Sequence, residues 1–237
     1  GYGYMPFFAY REQMLSDLSA WLDKLPAPAP DAIKVACIGD SITDGHGIDL
    51  RDVNGYPAQM QKMLGAGYNV RNFGISARTL MNSGDLPYMN EGIWHDALAF
   101  QPDIVVIMLG TNDSKEYNWA HKKDFAGDLK KMLDALKALP TQPKIYLCKP
   151  IPALKDSWTI SESVITGEIV PLLEKAVKKE KLEGMIDLHT ALEGHPEMMQ
   201  DDGIHPNAAG VRKMAETVAK VIDPDVKIPE RSMWMRH

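Results

Sequence analysis

Cysteine is scarce: two residues, Cys37 and Cys148, in a chain of 237. That excludes a disulfide framework as the organising device, and two thiols alone do not make a zinc site. Both fall in apolar segments and read as small core residues. No apolar run is long enough to span a bilayer, so no membrane insertion is expected. Positive charge is also short, with 26 Lys and Arg against 32 Asp and Glu and a net charge of −6. Binding phosphate chains needs clustered cations, whereas here they are scattered. The cluster Lys178-Lys179-Lys181 is matched by Glu174, Glu180 and Glu183 and reads as a solvated helix face. No nucleic acid partner is expected. There is no internal repeat, and low complexity is confined to Pro26-Ala27-Pro28-Ala29-Pro30. The chain opens at Gly1 without an initiator Met, so the lack of a leader segment decides nothing about compartment.

What is present is enough apolar material for a sizeable core: 45% hydrophobic residues beside 24% charged ones. Residues 7–25 read as an amphipathic helix, with Phe7, Phe8, Met14, Leu15, Leu18, Trp21, Leu22 and Leu25 at spacings of three and four. The Pro-Ala stretch after it breaks the helix and makes a stiff connector. Residues 1–30 are therefore set apart from a main domain over 31–225, and 226–237 form a tail. Within the main domain strands and helices alternate. Strands are expected at about 33–38, 68–73, 103–109, 144–148 and 185–188, and helices at about 56–64, 91–99, 121–139, 161–181 and 207–222. The third strand, Asp103-Ile104-Val105-Val106-Ile107-Met108-Leu109, is apolar after its first residue, as a central strand covered on both faces would be. Alternating βα units predict a three-layer α/β/α sandwich on a five-stranded parallel sheet, flavodoxin-like, in the order 2-1-3-4-5. That order puts the first and fourth strands two spacings apart, too far for Cys37 to bridge Cys148.

Chemically specific residues sit at strand ends. The first strand ends in Gly39-Asp40-Ser41, the second in Asn72-Phe73-Gly74-Ile75-Ser76 and the third in Gly110-Thr111-Asn112-Asp113. After the fifth comes Asp201-Asp202-Gly203-Ile204-His205-Pro206-Asn207. In a parallel sheet these segments converge on one edge. A serine hydroxyl needs a base to become a nucleophile. His205 is placed to be one, and Asp202, three residues earlier, to fix its tautomer. Oxyanion donors are available from the Ser41 and Gly74 N–H groups and the Asn112 side-chain amide. Each piece also has a plainer reading. Ser41 alone suits a helix N-cap, Asn112-Asp113 an ordinary turn and His205-Pro206-Asn207 a helix start. Asp40 reads as a support for the loop and as a possible substrate contact. Asp44 and His46, with Asp202 and His205, invite recasting as a metal site, but no tight ligand pair supports it and no cofactor or metal is expected. His189 and His195 read as surface or loop histidines.

Gly39-Asp40-Ser41-Ile42, Gly74, Gly110-Thr111-Asn112-Asp113 and Asp202-Gly203-Ile204-His205 together resemble the four sequence blocks of the SGNH (GDSL-type) hydrolases, in the family's order and over about 33–222. The resemblance implies the same three-layer fold and metal-independent ester hydrolysis by a Ser-His-Asp triad. It implies Ser41 as nucleophile, Asp202 and His205 as the other triad members, and Gly74 and Asn112 as oxyanion donors beside the Ser41 amide. One departure is Ala77, where many members have a second glycine in block two. The Gly-x-Ser-x-Gly elbow of α/β-hydrolases is absent. Aromatics on loops at the active edge, Tyr117, Trp119 and Trp158, with Trp94 nearby in sequence, suit stacking on sugar rings as well as packing. Trp119 and Trp158 are named as possible substrate contacts. The expected partner is a small-molecule or glycan ester. The expected activity is that of a carbohydrate O-acetylesterase acting on plant-glycan or sialic-acid-type sugars. A lysophospholipase or acyl thioesterase is the alternative, and a non-catalytic glycan-binding protein a more distant one. An extracellular glycan substrate would favour a secreted or periplasmic location.

Overall fold

In a computed structural model, residues 27–228 are described. The helix expected over 7–25 lies outside them, as do the last nine residues of the tail. Five parallel strands form one sheet in the order β2-β1-β3-β4-β5: β1 is Ile33–Gly39, β2 Tyr68–Gly74, β3 Ile104–Met108, β4 Lys144–Lys149 and β5 Gly184–Asp187. The longer helices are α1 (Tyr56–Leu64), α2 (Gly92–Ala99), α3 (Phe125–Lys137), α4 (Val170–Lys179) and α5 (Ala208–Ile222).

Side chains alternate across a strand, so a strand buried on both faces must be apolar at every position. Ala36, Ile38, Val105, Ile107 and Leu147 face one layer, where they meet Ala97 of α2, Leu129, Met132, Leu133 and Leu136 of α3, and Leu173 of α4. Val35, Cys37, Val106, Met108 and Cys148 face the other, against Tyr56 and Met60 of α1 and Val211, Met214, Ala215 and Val218 of α5. This is the expected three-layer sandwich. Each fully buried aliphatic side chain contributes roughly 1.5–3 kcal/mol over exposure. Both cysteines are buried and free, with β3 between their strands. Burial pushes the Cys37 thiol up to about 12, so neither its acidity nor its access suits reaction.

The helix expected over 161–181 is not uniform. Glu162–Val164 opens it, Ile165–Ile169 winds as a π turn and α4 completes it. Pro171 supplies the cause: it has no N–H to donate, and its ring crowds the carbonyl of residue 167 four positions back. The Pro-Ala connector ends against the domain, where Ala29 N–H donates to the Ala66 carbonyl at 2.8 Å.

β1 lies between β2 and β3, and its last residue, Gly39, is in register with Gly74 and Met108. The carboxyl ends of the three strands therefore stop level, beside the point where the strand order reverses. Ligands bind at that crevice in open α/β sheets.

Candidate active site

After Gly39 the chain leaves β1 into a one-turn helix, Ser41–Asp44, capped by the Asp40 carboxylate, which accepts from Ile42 N–H at 3.0 Å. Ser41 is thus held at the mouth of the sheet. The loop before α5 supplies the facing groups. Gly203, at φ +72, turns that loop back on itself, a conformation that favours glycine. Asp202 Oδ1 accepts from the N–H groups of Ile204 at 2.8 Å and His205 at 2.9 Å. Its Oδ2 lies 2.8 Å from His205 Nδ1, and His205 Nε2 lies 2.8 Å from Ser41 Oγ. Asn207 ends the loop by capping α5, accepting from Ala209 and Gly210 N–H.

Electrostatics follow from this arrangement. Burial disfavours the imidazolium of His205 and lowers its pKa, with Asp202 pulling the other way and His46 adding to the lowering. The His46 and His205 rings are 4.4 Å apart. Burial also works against ionised Asp202, but the two backbone N–H groups and the imidazole outweigh it and keep the carboxyl below the ordinary aspartate range. The pair is built as neutral imidazole beside carboxylate.

Asp40 is not a surface for substrate. It is wholly buried, and burial pushes its carboxyl up to about 7 against the stabilising bond from Ile42. Its Oδ2 faces Asn112 Nδ2 at 3.4 Å, and the same amide nitrogen reaches the Arg78 carbonyl at 3.2 Å. Both contacts are long. Asp40 therefore positions the Asn112 amide while leaving it weakly engaged. Asp113, next to Asn112 and equally buried, accepts from Leu80 and Met81 N–H at 2.9 and 2.8 Å and so straps the segment after β2 to the turn after β3.

Gly74 differs from expectation. Its N–H donates to its own neighbour, Asn72 Oδ1, at 2.8 Å, so it is not free for an oxyanion. The glycine is required for another reason: a Cβ there would collide with the backbone of Thr43 and Asp44. Three residues on, Ala77 sits at φ +68, a left-handed conformation costing a non-glycine residue about 1–2 kcal/mol. Ser76 on one side bonds Asp44, and Arg78 on the other bonds Glu91 and the Ser76 carbonyl. Among the described residues neither Ala77 N–H nor Ser41 N–H has a hydrogen-bond partner. The residue that sequence reasoning passed over is thus Ala77. Its signal was present: the position where many SGNH members carry a second glycine is one that demands positive φ.

The aromatics separate. Trp119 is buried, edge-on to Phe125 with ring centroids 5.5 Å apart, and Trp94 is buried against Tyr88. Both are core residues, because the segments that carry them fold under the helical layer. Trp158 is 56% exposed, and its ring stands edge-to-face with His205, centroids 5.7 Å apart. Trp158 and Thr159 are both left-handed, at φ +53 and +62. The surrounding turn enforces this: Ser157 Oγ donates to the Asp202 carbonyl at 2.7 Å, and Leu154 N–H donates to the Gly203 carbonyl at 2.8 Å. Backbone strain of this kind persists where neighbours over-determine it.

The remaining candidates fall elsewhere. Asp44 pairs with Arg51 at 2.6 Å and does not turn to His205. His189, expected at the surface, is buried and lies 2.6 Å from Glu162, whose other oxygen accepts from Ala153 N–H. It pins the loop after β4. His195 is exposed and pairs with Glu197.

The profile of the GDSL-like lipase/acylhydrolase family matches residues 37–213, three-quarters of the chain. The chain belongs to this family. Among curated relatives of this GDSL-type chain, an acetylxylan esterase of Xylanibacter ruminicola is 52% identical over 239 residues, which cover 94% of this chain and 50% of that protein. A multidomain esterase of Ruminococcus flavefaciens is 25% identical, covering 79% of this chain and 28% of that protein. The chain thus spans half the length, or less, of these curated relatives. Two solved structures share the fold, each with a TM-score of 0.67 at 21% identity: an M. smegmatis aryl esterase and a carbohydrate acetylesterase from Sinorhizobium meliloti. They cover 81% and 80% of this GDSL-type chain, and each is itself 98% covered.

Proposed function

We propose that this chain is a serine esterase that removes acetyl groups from a carbohydrate through an acyl-enzyme. The observation that carries the reading is the unbroken relay from Ser41 Oγ through His205 to Asp202, two contacts of 2.8 Å. Ser41 Oγ attacks the acyl carbon and gives its proton to His205 Nε2. The resulting oxyanion sits among the N–H groups of Ser41 and Ala77 and the Asn112 amide. His205 returns the proton to the departing sugar oxygen, and a water activated in the same way releases acetate and restores Ser41. Asp202 fixes the tautomer throughout. The acetylxylan esterase relative supports the choice of acetyl group and sugar, and exposed Trp158 offers the sugar a ring face beside His205.

A neutral His205 is the form that accepts the proton, and its pKa is lowered. Activity therefore persists as pH falls past the ordinary histidine value of about 6.5 and is lost only below the lowered pKa. A kcat/KM profile on a short acetyl ester will place the acid limb under pH 6.5. A limb above it contradicts this role for His205.

The substrate is tested by turnover of acetylated xylan, acetylated sialic acid, and p-nitrophenyl esters from acetate to palmitate. Acetylated sugars and the shortest ester will be the best substrates. Activity that rises with acyl length would replace the carbohydrate reading with a lipolytic one.

A further inference from the structure

The loop that follows the Ser41 turn is fastened to the His205 loop by its backbone. His46 N–H donates to the Ser41 carbonyl at 2.9 Å, and the His46 carbonyl accepts from Gln200 Nε2, also at 2.9 Å. Gln200 belongs to the His205 loop: its own N–H donates to the His205 carbonyl at 2.8 Å, and its Nε2 also reaches the Pro206 carbonyl at 2.9 Å. A Cβ at residue 47 would collide with the Gln200 amide, so Gly47 lets the two loops close on each other. The His46 side chain takes no part in this clamp. It is exposed, and among the described residues neither of its ring nitrogens has a hydrogen-bond partner. Its ring lies against that of His205, with centroids 4.4 Å apart and 40° between the planes.

Chemistry brings the leaving group to the same ring. The carbonyl oxygen of a bound ester is held by the oxyanion donors, which come from the segments after β2 and β3 and from Ser41 itself. The departing oxygen has to come within hydrogen-bond reach of His205 Nε2 to take its proton. The alcohol part of the substrate therefore lies beside the His205 ring. Two exposed side chains are in ring contact with it there, His46 and Trp158. Trp158 presents a ring face and edge, whereas His46 presents unpartnered ring nitrogens. On a sugar, the polar group nearest the departing oxygen is the hydroxyl on the adjacent carbon.

We propose that the His46 imidazole is a specificity-determining contact for the leaving sugar, hydrogen-bonding the free hydroxyl vicinal to the acetylated oxygen. This rests on the reading of the substrate as an acetylated carbohydrate. A neutral imidazole has one N–H donor and one acceptor nitrogen, and a sugar hydroxyl both donates and accepts, so either tautomer makes the bond. Trp158 stacks on the ring whether or not that hydroxyl is present, and His46 reads the hydroxyl. Because His46 is exposed, water takes the place of a missing hydroxyl, and nothing is left buried and unpaired. The preference is therefore that of one neutral hydrogen bond, about threefold to tenfold.

The test uses two monoacetates of a methyl xyloside, one with the vicinal hydroxyl free and one with it replaced by hydrogen, and p-nitrophenyl acetate as a reference. The readout is the ratio of kcat/KM for the two sugar esters, so any general change in rate, including one that reaches His205, cancels. Wild type will favour the hydroxylated ester by about threefold to tenfold, and His46→Phe will bring the ratio down toward unity. Phenylalanine keeps a ring against His205 and leaves the backbone clamp intact, since no side-chain atom of His46 takes part in it. Should that variant fail to fold, His46→Ala gives the same reading. A ratio at or below half that of wild type upholds the contact, and a ratio above half overturns it. If wild type cleaves p-nitrophenyl acetate but neither sugar ester, the carbohydrate reading fails and takes the His46 contact with it. If it cleaves both sugar esters equally well, only the His46 contact fails.

Discussion

Replacement of Ser41 by alanine will lower kcat on short acetyl esters by about 10⁴- to 10⁶-fold, the range seen when a triad nucleophile is removed. The size of the effect has a structural reason. Ser41 Oγ is the group that His205 Nε2 faces, at 2.8 Å, and no other hydroxyl shares that contact among the described residues. Ser76 is committed to Asp44, and Thr43 faces the Tyr56 hydroxyl. Nothing nearby can take over the attack. Folding will be retained, because the turn that presents Ser41 is capped by Asp40 and not by the Ser41 side chain. Wild type will be labelled covalently by a fluorophosphonate and the variant will not. A loss of less than tenfold in kcat, with labelling intact, would assign the nucleophile to another residue.

Asp202→Asn carries the second large effect, about 10⁴-fold in kcat with KM nearly unchanged. The argument turns on the division of labour between the two carboxylate oxygens. Oδ1 accepts two backbone N–H groups, and an asparagine carbonyl does the same, so the loop keeps its shape. Oδ2 accepts from His205 Nδ1, and an amide nitrogen placed there donates instead. The imidazole must then carry its proton on Nε2, the atom that has to be vacant to receive one from Ser41. Thermal stability close to wild type, with kcat lowered and KM preserved, is the expected pattern. A kcat loss below tenfold would mean that another group orients His205.

Much of this architecture is legible in the sequence. β3 is continuously apolar, and β1 is so after Lys34, because both faces of the sheet are covered, and that pattern marks central parallel strands without tertiary information. The strand–helix rhythm then restricts the topology to few choices, and the order 2-1-3-4-5 followed. The four blocks ended strands in one direction, so their convergence was a consequence of parallelism. The oxyanion side was less legible. Gly74 looked free to donate, yet Asn72, two residues before it, takes the N–H. A side-chain-to-backbone bond of that kind depends on a rotamer, which sequence spacing leaves open. Ala77 was noticed as a departure, but its backbone conformation depends on Asp44, Glu91 and Asn112, all remote in sequence from the turn. The tryptophans divided for a similar reason. Trp119 and Trp158 both follow polar turns, and only the path of the helical layer hides one and leaves the other exposed.

What the sequence determined by itself is the sheet, its order and the identity of the Ser41, Asp202 and His205 segments, because these rest on local periodicity and on the direction of strands. What only the tertiary structure decided is how the polar atoms of the site are paired: the N–H of Ala77 left open in place of Gly74, and the buried Asp40 set as support for Asn112. Hydrogen-bond pairing in a buried site is settled by atoms from distant segments competing for the same partners. No stretch of sequence read alone contains both sides of that competition.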